Sequence, residues 1–169
     1  MDNLRPIIRF LAGRLGAYLL AVTIAYVLAT VTATQSVVAS LDGMGVAVGL
    51  ADRLAMTERD IRGMAPMFLP MVAFALLVAF LSSALLSRWL HRWRLPLYFT
   101  AGAAALVCIH LALHLAFGIT PVAIARSGGG LVMQGMAGGI GGLIYIAMVE
   151  WLVRRAAGAA LAGPSQSAV

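Results

Sequence analysis

The chain has 169 residues and a formal charge of +6, with 62% of its residues hydrophobic and only 11% charged. A mean hydropathy of +0.97 excludes an ordinary soluble domain and makes a lipid bilayer the relevant solvent. The twelve basic residues are all arginine and gather at the ends of apolar runs rather than on one polar face, which argues against a nucleic-acid partner.

A helix needs about 20 apolar residues to cross roughly 30 Å of hydrocarbon. The first run that meets this is 15–34, behind Arg5, Arg9 and Arg14. An arginine-rich start and "VTA" before Thr34 also fit a secretory leader, but the apolar run is long for one, and a retained span is expected. The segment 35–66 follows as an outer loop. It mixes Val48, Leu50, Leu54, Ile61 and Met64 with Asp52, Arg53, Glu58, Arg59 and Asp60, a pattern that predicts one or two short amphipathic helices lying on the membrane surface. "TERD" at 57–60 reads as a capping-box start with Asp in place of Glu. Pro66 suits a first helical turn, and Pro70 predicts a tilt or kink.

The second span is 67–87. It is followed by "RWLHRWRLP", where arginines pin the chain and Trp89 and Trp93 suit the interface. The third span, 95–117, holds the one cysteine, Cys108, which excludes an internal disulfide and reads as a small apolar filler. It also holds His110 and His114, one helical turn apart. A short turn, "GITPVAIARSGGG", leads into the fourth span, 131–153, so these two spans are expected to be antiparallel neighbours. In "GMAGGIGG", Gly135, Gly138, Gly139 and Gly142 share one face in a small-xxx-small pattern, which points to close helix packing. It is not a nucleotide loop, since neither the spacing nor a preceding strand is present. Glu150 and Arg154 are placed to form an i, i+4 pair at the interface. The tail is 154–169.

The whole chain, 1–169, is therefore expected to be a single all-α integral membrane domain of four helices in an antiparallel up-down bundle. Arginines number eight on one side and four on the other (Arg53, Arg59, Arg62, Arg126), which places both termini in the cytoplasm. The composition, rich in Ala, Gly and Leu with arginine as the sole cation, suits a GC-rich bacterial genome and hence an inner membrane.

An ionisable group inside a span marks a candidate site. Counting outward from a hairpin midpoint near Ile124 sets His114 level with Gln134 and His110 level with Gly138. Gln134 could then bond His114, and the structural reading is a satisfied polar patch that holds two helices together, each bond contributing about 0.5–2 kcal/mol. The functional readings use the same patch, His110, His114 and Gln134, for a quinone or a proton, with Tyr26 or Thr30 as polar contacts. A copper site would add Met67, Met71 and Met133 to the two histidines, soft thioethers beside imidazole suiting Cu(I). Two histidines on one face of one helix cannot ligate a haem from both sides, and no cofactor is expected. Small multidrug exporters carry a deep acidic residue in their opening span, and four-helix b-type cytochromes carry histidines on several helices; both features are missing. No catalytic motif is present either. The expectation is a non-enzymatic accessory or interaction subunit, with the bilayer and other membrane subunits or its own copies as partners. The alternative is a small transporter or ligand-binding protein using the polar patch.

Overall fold

In a computed structural model the described residues are 4–117 and 128–161, with side chains described over 8–115 and 129–158. They form four helices: α1 (Leu4–Gly43), α2 (Leu50–Leu86), α3 (Arg94–Phe117) and α4 (Gly128–Leu161), with a 3-10 turn at His91–Trp93. No strand occurs among them. All four helices are long and apolar enough to cross a membrane. The tight turn predicted after the third span, with Arg126, and the last residues of the tail lie outside the described residues.

Two helices are much longer than the expected spans. At 1.5 Å per residue, the 40 residues of α1 and 37 of α2 extend about 60 and 55 Å. The segment 35–66 is therefore not a loop carrying separate surface helices. It is the distal part of α1 and α2, joined by residues 44–49, where Gly45 takes a φ of 82° that disfavours a side chain. Gly49 caps α2, and "TERD" falls inside the helix, with the Thr57 hydroxyl donating to Arg53 O. Pro66 and Pro70 are both interior. Of the apolar residues of this segment, Ile61 and Met64 pack against the core, whereas Leu50 and Leu54 are exposed near its tip.

The distal hairpin is zipped by polar groups. Thr34 Oγ1 donates to Asp60 Oδ2 at 2.7 Å, Gln35 Nε2 lies 3.5 Å from Thr57 Oγ1, and Arg53 reaches Asp42 at 2.6 Å. Deeper in, Tyr26 donates to Ile61 O and Tyr18 to Ala73 O.

Each helix contributes one stripe to the core. On α2 it is Phe68, Val72, Leu76, Phe80 and Ser83, at helical spacing. On α1 a row of alanines, Ala17, Ala21, Ala25, Ala29 and Ala33, runs beside Val22, Tyr26, Thr30 and Thr34, all buried. α1 packs on α2 and α4, and α3 packs on α2 and α4; α2 and α4 barely touch. The α3–α4 seam is the tightest. A Cβ on Gly138 would collide with Gly102 O, one on Gly142 with Tyr98 O, and one on Gly139 would sit 2.5 Å from the Phe99 ring. A Cβ on Gly135 would meet Val107 at 3.4 Å, an ordinary contact. Gly141 faces the other way, against Ala25 and Ala21 of α1.

Candidate functional site

The glycine seam corrects the predicted register. Gly138 stands opposite Gly102, not His110, a slide of about two turns. Counting from a turn midpoint assumes that both helices end symmetrically; the pairing is instead set by where backbones can touch. Gly102 escaped the sequence reading, although its flanking alanines in "TAGAAA" are a small-residue signal of the same kind.

The two histidines also part company. His110 is 2% exposed and His114 is exposed. Four residues of an α-helix turn through about 400°, so the two side chains differ by roughly 40°. The remainder comes from depth, because residues 111–115 are all exposed or half-exposed and lie past the buried core. Gln134 is fully buried and turns toward α1, where its Nε2 donates to Ala29 O at 2.9 Å. The expected Gln134–His114 pairing is therefore replaced by a grouping of His110, Gln134 and Thr30.

Every helix adds to this centre. α1 supplies Thr30, fully buried, with Tyr26 and Thr34 one turn to either side. α2 supplies Phe68, whose ring lies 5.8 Å from the His110 imidazole and 6.1 Å from Tyr26. α3 supplies His110 and α4 supplies Gln134, which are neighbours. Among the described residues neither imidazole nitrogen, nor Gln134 Oε1, nor Thr30 Oγ1 makes a well-formed hydrogen bond, although all are buried; His110 and Gln134, and likewise Tyr26 and Thr30, lie close enough to interact. Each such atom costs about 1–3 kcal/mol when left dry. In neutral form the imidazole brings one donor and one acceptor, the carboxamide oxygen an acceptor, and the hydroxyl both.

A polar column leads from this centre toward the distal hairpin. Thr34 Oγ1 contacts Thr30 O at 3.1 Å and also donates to Asp60. In the opposite direction the core is apolar: Ala21, Ala25, Val72, Leu76, Leu106 and Ile146 are all buried. Beyond them lies an aromatic cluster in which Phe80 stacks on Tyr145 at 4.5 Å, with Tyr98 5.6 Å from Tyr145.

The sulfur donors are not gathered there. Met67 is 76% and Met133 53% exposed, both facing away from the core that holds His110; Met71 is half-buried. Among the described residues no three His, Cys, Asp or Glu side chains group as metal ligands. Cys108, expected as a small apolar filler, lies within α3 and is exposed on the outside of the bundle. Glu150 and Arg154 face each other at 3.8 Å across one helical turn. No protein-family model, curated protein or solved structure matches the chain.

Proposed function

We propose that this chain is an integral protein of a bacterial inner membrane, with four antiparallel spans and cytoplasmic termini, whose core binds a water-sized hydrogen-bonding ligand and handles protons. The antiparallel order is supported by the seam, where rising numbers on α3 (Tyr98, Gly102, Val107) meet falling numbers on α4 (Gly142, Gly138, Gly135). The membrane placement is supported by the outward apolar side chains of every helix, among them Leu19, Phe74, Leu81, Leu115 and Val132. The sidedness rests on the arginine asymmetry.

One observation carries the site: among the described residues, four polar atoms on three helices are buried in an apolar core without a well-formed hydrogen bond, His110 and Gln134 being neighbours. Polar side chains that merely hold helices together would be satisfied by each other. A water with two to four polar partners is the ligand such a donor–acceptor set accommodates, and Thr34, one turn beyond Thr30 and donating to Asp60, continues the polar side chains toward the outer side. Copper is disfavoured by the outward methionines.

The test is solid-state NMR of histidine-labelled protein in bilayers. Rapid magnetisation transfer from water to the His110 imidazole, matched by a loss of stability in His110→Phe, is expected. Slow transfer typical of a dry core, with His110→Phe more stable than the parent, would overturn the reading.

An accessory-subunit role is the second reading, and one feature favours it. The tip of the α1–α2 hairpin exposes Met44, Val46, Leu50 and Leu54, at 70, 52, 74 and 64%, on the scaffold held by Arg53 and Asp42. A photo-crosslinking residue at position 50 or 54 should capture a defined membrane partner in native membranes; none captured would remove this support.

A further inference from the structure

Among the described residues the carboxylates divide by what they face. Asp42 pairs with Arg53, Glu58 with Arg62 and Glu150 with Arg154, while Asp52 is exposed. Asp60 is half-buried, turns toward α1 and forms no salt bridge among these residues. Its Oδ2 accepts a hydrogen bond of 2.7 Å from the hydroxyl of Thr34, which is 1% exposed. The carboxylate thus stands between the water at the hairpin end and the interior of the bundle. α1, packed against it, carries no charged residue between Arg14 and Asp42 and presents Tyr26, whose hydroxyl donates to Ile61 O. α4 has no titratable group before Tyr145, and the distal half of α3 has Cys108, His110 and His114. On α2 itself Arg59 and Arg62 are exposed. A carboxylate tied to an arginine gives up that stabilisation when it takes a proton; Asp60 has no such tie among these residues.

We propose that Asp60 is the group through which the polar centre exchanges protons with the water at the hairpin end, with the Thr34 hydroxyl as its first relay. The inference rests on the water-holding centre proposed above and names the group that serves it. Thr34 Oγ1 lies 3.1 Å from Thr30 O, on the side toward the centre. The Thr30 hydroxyl, one turn away, is fully buried and lacks a well-formed hydrogen bond. Residues one turn apart have Cβ atoms about 5–6 Å apart, a gap that one water spans with two hydrogen bonds of about 2.8 Å. Thr30 follows Ala29, whose carbonyl holds the Gln134 carboxamide, and Gln134 neighbours His110. The carboxylate takes one proton from the water outside. It hands a proton to the Thr34 oxygen as the hydroxyl proton of Thr34 leaves to the bridging water, so the hydroxyl ends unchanged. Only O–H and N–H bonds are exchanged, and one proton moves in all. In the other direction the buried Ala21, Ala25, Val72, Leu76, Leu106 and Ile146 offer no such relay, so the exchange is one-sided.

Deuterium exchange of the His110 imidazole N–H, followed by solid-state NMR of the histidine-labelled full chain in bilayers, tests it. In Asp60→Asn the exchange should slow by roughly 100-fold, the lower end of what a positioned acid–base group supplies, while magnetisation transfer from water to His110 stays rapid. Thr34→Val, which leaves the carboxylate in place, should slow it as well, and Thr34→Ser should recover most of the loss. Glu58→Gln, on the exposed face of the same helix, should exchange like the parent. The sign of the effect separates a relay from a structural role, because a hairpin merely loosened by losing the Thr34–Asp60 bond would admit water and exchange faster. Unchanged or faster exchange in Asp60→Asn overturns the inference and leaves the centre standing. Should that variant not fold, the same result in Thr34→Val overturns it. A parent protein whose His110 receives no rapid transfer from water would remove the centre itself, and the inference with it.

Discussion

Gly138→Ala adds one methyl group, and the structure places it against the Gly102 carbonyl. Neither atom can rotate away, since one is Cβ and the other backbone, so α3 and α4 must separate along the whole seam. Overpacking of this kind costs about 1–3 kcal/mol. It must also overcome the gain of roughly 0.8–1 kcal/mol that alanine brings to a helix interior over glycine. The net expectation is a loss of up to about 2 kcal/mol. Gly16→Ala is the matched control, because a Cβ there meets nothing within 4 Å; it should stabilise the protein by up to about 1 kcal/mol. Once one methyl has parted the helices, a second at Gly102 needs little further movement. The Gly102→Ala, Gly138→Ala double variant should therefore cost clearly less than the sum of the singles. Unfolding in mixed detergent micelles, followed by circular dichroism, measures all four. A Gly138→Ala protein as stable as Gly16→Ala, or strictly additive singles, would refute the close-approach account.

Thr34→Val should destabilise the protein by about 1.5–3 kcal/mol by stripping a hydrogen bond from the Asp60 carboxylate, and the loss should shrink in an Asp60→Asn background; chemical unfolding of the four-member cycle checks it. Arg53→Ala should cost no more than about 1 kcal/mol, with the difference fading at high salt, because its pair with Asp42 is 36%/41% exposed; a large, salt-independent loss would show that the tip depends on this contact. A reporter active only in the periplasm should work when inserted near Gly45 and stay silent when fused after Val169, and the reverse pattern would invert the topology.

Four membrane-length helices were legible because hydropathy acts over some 20 residues and has little competition in lipid. The glycine face was legible for a similar reason: Gly138 and Gly142 have few uses in a helix other than letting a backbone approach. Extents were not. Ile61 and Met64 carry the same pattern whether a helix rests on a membrane or on another helix, and only the partner distinguishes the two. The capping-box reading of "TERD" failed because Thr57 can bond the carbonyl one turn back as readily as it caps a helix. The division of labour between His110 and His114 depends on a 40° rotation and one turn of depth, finer than any periodicity resolves. Thr30 was named only as a secondary contact, since threonines are common in spans and nothing local marks the one that is buried in the core.

The two faces of α4 set what this bundle can do mechanically. On one side its glycines touch the α3 backbone; on the other Gly141 meets the α1 alanines. A helix seated by backbone on both sides can neither roll nor slide without a collision, so α1, α3 and α4 behave as a single block. α2 is attached differently, through bulky side chains and through hydrogen bonds donated by Tyr18, Tyr26 and Thr34, which can break and re-form. Any opening of the core then falls to α2. Because Phe68 is its contribution beside His110, even a small swing of that helix would uncover the imidazole while the rest of the molecule stood still.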